Sequence, residues 1–191
     1  MTDEELINRF YQQDQEALNV LFKRHKDGLF NFAFRLSANR ADAEDAVSHT
    51  FMMLCQKRYE PQPGASFKTW AYTIARNACL SRLRTKFRFF PLRQTRDDGQ
   101  EGQVDIADTR NLVHEELRQQ ETAAIIQKAV SQLPPEQKEA LLLREYHDFR
   151  YEEIANVLDC SLEKVKVLIF RARVRLKETL PPVLLEEGEV K

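Results

Sequence analysis

The chain has little of what punctuates, crosslinks or anchors a protein. Its 191 residues include only five glycines, three cysteines and one tryptophan. No glycine falls in a loop pattern that cradles phosphates, which excludes the common nucleotide-binding fingerprints. Cys55, Cys79 and Cys160 lie far apart, and His25, His49, His114 and His147 are equally scattered. That spacing excludes a zinc cluster and a disulfide framework, and predicts reduced, partly buried thiols in the cytoplasm. No apolar run approaches the length of a membrane span, and MTDEELINRF lacks the cationic-then-apolar start of a secretory signal. No nucleophile is patterned with a base, so the expectation is no catalytic residue, no metal, no cofactor and no enzyme. Net charge is missing too: Lys+Arg 29 against Asp+Glu 30 leaves −1, a balance that does not advertise a nucleic-acid partner.

The distribution of charge says otherwise. From Pro61 to Arg96 there is no acidic residue, while Lys68, Arg76, Arg82, Arg84, Lys86, Arg88, Arg93 and Arg96 are basic. Asp97, Asp98, Glu101, Asp105 and Asp108 follow at once. Charge in separate blocks implies different partners for different segments, or a solvated basic face beside a solvated loop.

Apolar residues recur at three- and four-residue steps almost everywhere, so the chain reads as all-α. A short helix near Glu4 to Gln12 precedes a long one carrying Ala17, Leu18, Leu21, Phe22, His25, Leu29, Phe32, Ala33 and Leu36. The next runs from about Asp42 to Arg58, and another from Phe67 to near Phe90. Helix resumes near Leu112 and stops at Pro134-Pro135. The layout is two small helical domains, residues 1–90 and 112–182, a flexible acidic linker at 91–111 and a tail at 183–191. If extended, that linker spans on the order of 60–70 Å.

The second domain ends in the outline of a helix-turn-helix. Tyr151 to Leu158 is a short helix with Ile154, Ala155 and Leu158 on one face, and Asp159-Cys160-Ser161 is a tight connection. Ser161 is placed to cap a longer helix bearing Lys164, Lys166, Arg171, Arg173 and Arg175, whose Val165, Leu168, Ile169 and Ala172 face the core. A basic helix entered through a sharp turn fits the DNA major groove; a plain exposed basic helix is the alternative.

Four motifs in order carry a resemblance to a family. They are RADAEDAV at 40–47 with Phe51, FKTWAYTIARNAC at 67–79, LPPEQ at 133–137, and YEEIA at 151–155 with Val165-Lys166 and Arg171-Ala172-Arg173. The chain resembles the extracytoplasmic-function class of bacterial RNA polymerase sigma factors, built from sigma-70 regions 2 and 4 only. The resemblance implies a protein that binds core RNA polymerase and directs promoter-specific initiation. Its expected partners are core polymerase, promoter DNA and, commonly in the family, an anti-sigma factor.

The roles it implies attach to particular residues. Asp42, Asp45, Ser48, His49, Met52, Met53 and Gln56 would present the surface that docks on the clamp helices of the polymerase's largest subunit. Ser48-His49 departs from the usual Gln and acidic residue. Tyr59, Lys68, Tyr72, Arg76, Asn77, Arg82 and Arg84 would capture and track the melted strand of the −10 element, which calls for rings, an amide and cations. Trp70 lies instead at core spacing with Phe67 and Ile74. Ser161, Lys164, Lys166, Phe170, Arg171 and Arg173 would contact the −35 element. Glu163-Lys164 stands where the family often has Gly-Thr, and Val167-Leu168 where it often has Ser-Arg; losing that polar pair shifts the expected readout toward apolar or shape-based contacts, and Arg150 removes a capping hydroxyl before Tyr151. A stand-alone helix-turn-helix regulator that binds duplex DNA without polymerase is the competing reading. A protein-binding helical adaptor is a third, and it leaves both basic surfaces unexplained.

Overall fold

The computed structural model describes residues 1–56, 59–60, 66–89 and 113–181. The acidic linker, the tail and residues 61–65 of the loop before Phe67 lie outside the described residues. Eight helices are present among those described: α1 (Asp3–Tyr11), α2 (Gln15–Ser37), α3 (Arg40–Cys55), α4 (Phe67–Phe89), α5 (Val113–Ser131), α6 (Pro135–His147), α7 (Tyr151–Leu158) and α8 (Leu162–Thr179).

Local chemistry sets most of these ends. Thr2 and Glu5 form a reciprocal capping box on α1, and the carboxylate of Asp14 accepts from the Glu16 and Ala17 amides to start α2. Asn39 caps α3 and Ser161 caps α8 through a 3.2 Å bond from the Lys164 amide. Arg150, which has no acceptor to offer, caps nothing with its side chain. The Glu153 carboxylate compensates by accepting from the Arg150 backbone N–H at 2.7 Å. Ala38, Asp148 and Asp159 end α2, α6 and α7 in the left-handed region, with φ of 53°, 54° and 52°.

Helices α1–α4 pack around Leu21, Leu29, Phe32, Leu54 and Phe67, all without solvent exposure. In the second bundle α6, α7 and α8 close on Leu142, Ile154, Val165 and Ala172. The two bundles also touch: α4 packs on α7 and α2 on α6, so their cores merge into one buried cluster. Tyr72 of α4 reaches this seam beneath α2, where Gly28 makes room. A Cβ at Gly28 would sit 2.7 Å from the Tyr72 hydroxyl.

Two placements differ from expectation, and Leu168 takes its expected place in the core. Phe22, assigned to the core stripe of α2, is 40% exposed and stacks edge-on against Phe51 at 4.9 Å. Cys55 is exposed rather than partly buried, while Cys79 is buried and its thiol is pushed up to about 11 by burial. Leu168 is buried, so of the Val167-Leu168 pair only Val167 reaches the surface of α8.

Candidate nucleic-acid and polymerase interfaces

The helix-turn-helix has the geometry expected of a duplex reader. Ile154 and Val157 of α7 and Val165, Leu168, Ile169 and Ala172 of α8 are buried, which fixes the two helices against each other. The other side of α8 then projects outward. Lys166, Phe170 and Arg171 are exposed, Phe170 by 68%. Val167, Phe170 and Val174 line up at helical spacing as an exposed apolar stripe between the cations. Two of the expected contacts are tethered: Lys164 Nζ donates to Glu136 Oε1 at 2.8 Å, and Arg173 to Glu145 Oε1 at 2.6 Å. Both pairs are exposed, so water and salt weaken them and a phosphate can compete for either cation.

On α4 the same kinds of side chain are turned inward. Lys68 Nζ donates to the His147 carbonyl at 2.6 Å and lies 4.3 Å over the Phe149 ring. Tyr72 is buried, with its hydroxyl 3.0 Å from His147 Nδ1 and its ring edge-on to Phe149 at 4.9 Å. Arg76 Nε donates to Glu139 Oε2 at 2.6 Å, and Glu139 is 1% exposed. Burial holds the Glu139 carboxyl above its ordinary range, although Arg76 opposes the shift. Arg82 bonds Asp42 at 3.2 Å and also pairs with Asp45. Asn77 and Arg84 stay exposed on the far side.

Tyr59, Tyr72 and Asp42 need correction, Tyr72 because its ring, expected to meet the melted strand, is buried against His147 and Phe149. Tyr59 was expected as a ring facing the melted strand. It is 3% exposed and packs edge-on against Phe67 and Trp70 at 5.5 and 5.3 Å, a core position forced by its neighbours' bulk. Trp70, expected in the core, is half-buried beside it. Asp42 was expected on the polymerase face, but it is 5% exposed in the first turn of α3, held against Arg82. Asp45, Ser48, Met52 and Gln56 are exposed, Met52 by 50%, and His49 and Met53 are half-buried.

Two shallow hollows flank this face. One is lined by Asp45, His49, Ile74, Asn77, Ser81 and Arg82, bringing together residues expected to face polymerase and residues expected to face DNA. The other is lined by Phe22, Phe30, Lys26, Arg40, Val47 and Ser48. Sequence reasoning missed Phe22 as a surface residue because its helical spacing matches that of the core, and it did not single out Phe30. It also missed Glu139, His147 and Phe149, which face α4 from the second bundle. Among the described residues no group of His, Cys, Asp and Glu is placed to hold a metal. No described helix is long and apolar enough to cross a membrane.

Known proteins share this fold. Residues 21–89 match the family Sigma-70 region 2, and residues 123–176 match Sigma-70, region 4, together more than half of the chain. The RNA polymerase sigma-H factor of Pseudomonas aeruginosa is 28% identical over 187 residues, covering 96% of each chain. An ECF RNA polymerase sigma-E factor of Escherichia coli is 29% identical over 191 residues, covering 96% of this chain and 97% of that one. Among solved structures, the sigma factor RpoE of Bartonella quintana, crystallised with the anti-sigma factor NepR, superposes with a TM-score of 0.60. It is 27% identical and covers 83% of this chain and 92% of that one. CnrH, solved with the cytosolic domain of CnrY, shares the fold with a TM-score of 0.63 at 22% identity, over 98% of this chain and 99% of that one.

Proposed function

Because the chain belongs to the sigma-70 family, in its extracytoplasmic-function class, we propose that it binds core RNA polymerase and directs promoter-specific initiation through two separate surfaces. The observation that carries this reading is the pairing of an exposed α8, with Lys166, Phe170 and Arg171 outward, and an exposed α3 face of Asp45, Ser48, Met52 and Gln56. The first has the charge and shape of a groove reader. Arg171 can contact a guanine bidentately, while Lys166 adds affinity at a phosphate without sequence preference. Val167 and Phe170 suit thymine methyl groups, which favours apolar readout beside the cations. The second surface is an adaptable protein interface, since an exposed methionine next to a carboxylate packs against varied partners. Phe22, edge-on to Phe51, extends it.

In this reading α4 handles the −10 element, with Lys68, Arg76, Arg82 and Arg84 tracking the strand and Asn77 lining the pocket for a base. Tyr59, Tyr72 and Asp42 support these surfaces from within. Residues 1–90 form the polymerase and −10 unit, and 112–182 the −35 unit. An anti-sigma factor, as seen with the Bartonella quintana relative, is a further expected partner.

The test is co-elution of the purified chain with sigma-free bacterial core RNA polymerase, followed by transcription from fragments selected by the reconstituted holoenzyme. One-to-one co-elution and initiation at discrete sites are expected. A folded chain that stays free of an active core, yet binds duplex DNA through α8, would overturn the sigma reading in favour of a stand-alone regulator.

A further inference from the structure

Helix α8 is basic, yet the middle of its outer face carries no cation. At about 3.6 residues per turn, Glu163, Val167, Phe170 and Val174 fall on one line along the helix, opposite the buried Val165, Leu168, Ile169 and Ala172. All four residues of that line are exposed, Val167 by 45%. Cations flank it on both sides: Lys166 and Arg173 on one, Lys164, Arg171 and Arg175 on the other. A major groove has the complementary layout. Its walls are two phosphate backbones that attract cations, and its floor is a row of base edges. A helix seated between the walls turns the centre line of its outer face to the floor, with its first turns closest. Beyond Glu163, the side chains on that line neither donate nor accept a hydrogen bond. The apolar group that the floor offers them is the C5 methyl of a pyrimidine.

We propose that Val167 gives α8 a methyl readout: it contacts the C5 methyl of a pyrimidine in the −35 duplex and accepts thymine and 5-methylcytosine alike. The proposal rests on the assignment of α8 to that duplex. Val167 is singled out over Phe170 and Val174 because it lies nearest the entry end of the helix, where base edges are met. Its branched side chain is stiff and holds its methyl groups in one place. Thymine and 5-methylcytosine carry the same methyl and differ at position 4, where one has an acceptor and the other an amine. A hydroxyl or a guanidinium would sense that difference; valine has no atom that does. Burying one methyl corresponds to about four-fold in affinity. Methylation of a cytosine at the contacted position would then strengthen a promoter without changing its sequence.

In the test, the full-length chain selects duplexes from a random pool, and each thymine of the selected site is replaced in turn by uracil, which lacks only the methyl. One thymine should stand out, its replacement weakening binding about four-fold in anisotropy titrations. At that position 5-methylcytosine paired with guanine should bind about four-fold more tightly than cytosine paired with guanine. Val167→Ser, at an exposed position that leaves the core untouched, should erase both differences. Arg171→Ala should weaken binding to every duplex and preserve them. A selected site without thymine, or uracil binding as well as thymine at every position, would overturn the methyl readout. The −35 role of α8 would survive that result if Arg171→Ala still weakened binding. Differences that persist in Val167→Ser would also overturn the readout, by placing the methyl effect on another residue or in the shape of the duplex. If no duplex is selected, or neither substitution alters binding, the stripe faces a protein instead, and the −35 assignment falls together with the methyl readout.

Discussion

In α4, Lys68, Arg76 and Arg82 are each bonded to protein, and Tyr72 is buried. In α8, Lys166 and Arg171 are exposed, with Phe170 projecting between them. Both helices are basic and amphipathic, and the sequence offers no reason to treat them differently. The difference lies in what packs on the second face. The core stripe of α8 is covered by α6 and α7 and its basic side is left to solvent, whereas α4 meets α2 and α3 on one side and α7 on the other. A basic helix is therefore a DNA surface only in the conformation that leaves its charges uncovered.

The comparison breaks most completely if the seam is emptied. Phe149 has no solvent exposure and touches both Tyr72 and Lys68. Phe149→Ala should cost about 3–5 kcal/mol of stability in urea unfolding, the usual penalty for removing a buried ring. A smaller loss is expected from Arg76→Ala. It strands the Glu139 carboxylate, but opening of the seam returns that group to water, so about 1–3 kcal/mol is expected rather than the full cost of a trapped charge. On the open helix the pattern reverses. Arg171→Ala should leave urea unfolding unchanged and weaken binding to a selected −35 duplex by about 1–3 kcal/mol if it reads a guanine. Arg173→Ala should weaken it less, because Glu145 already competes for that guanidinium. Anisotropy titrations of the two variants rank them.

The gentlest probe is pH. The His147 ring is pushed down to about 4 by burial, with the nearby charges of Lys68 and Arg35 adding to the effect and Asp148 opposing it. A histidine held neutral in the folded chain and free to protonate at about 6.5 when unfolded favours the fold above that value. Stability is therefore lost progressively as pH falls from about 6.5 to about 4. Urea midpoints across this window should show the decline in the wild type. His147→Asn should flatten the part of the slope due to this ring.

Much of the architecture was legible because it is locally encoded. The bounds of α7 and the Ser161 cap follow from residues within a few positions of each other, and the buried stripe of α8 from its own periodicity. The seam was not legible. Arg76 and Glu139 are 63 residues apart and Tyr72 and His147 are 75 apart, with no repeat or motif linking either pair. Glu139 reads in sequence as one more solvated acid on an amphipathic helix, and His147 as a scattered histidine. Tyr59 was misplaced for the opposite reason. A tyrosine beside a loop looks the same whether its ring faces a nucleotide or, as here, Phe67 and Trp70.

Interdomain energy transfer tests a sigma factor's role and the seam between the two bundles together. Donor and acceptor dyes go on cysteines introduced at exposed Lys23 and Glu178, in a chain carrying Cys55→Ser and Cys160→Ser. Buried Cys79, its thiol pushed up to about 11, stays unlabelled. Transfer should be high in the free chain and should fall when core RNA polymerase and a selected promoter are added. Low transfer in the free chain, or transfer that does not change although co-elution proves the complex has formed, would contradict that pairing of role and seam.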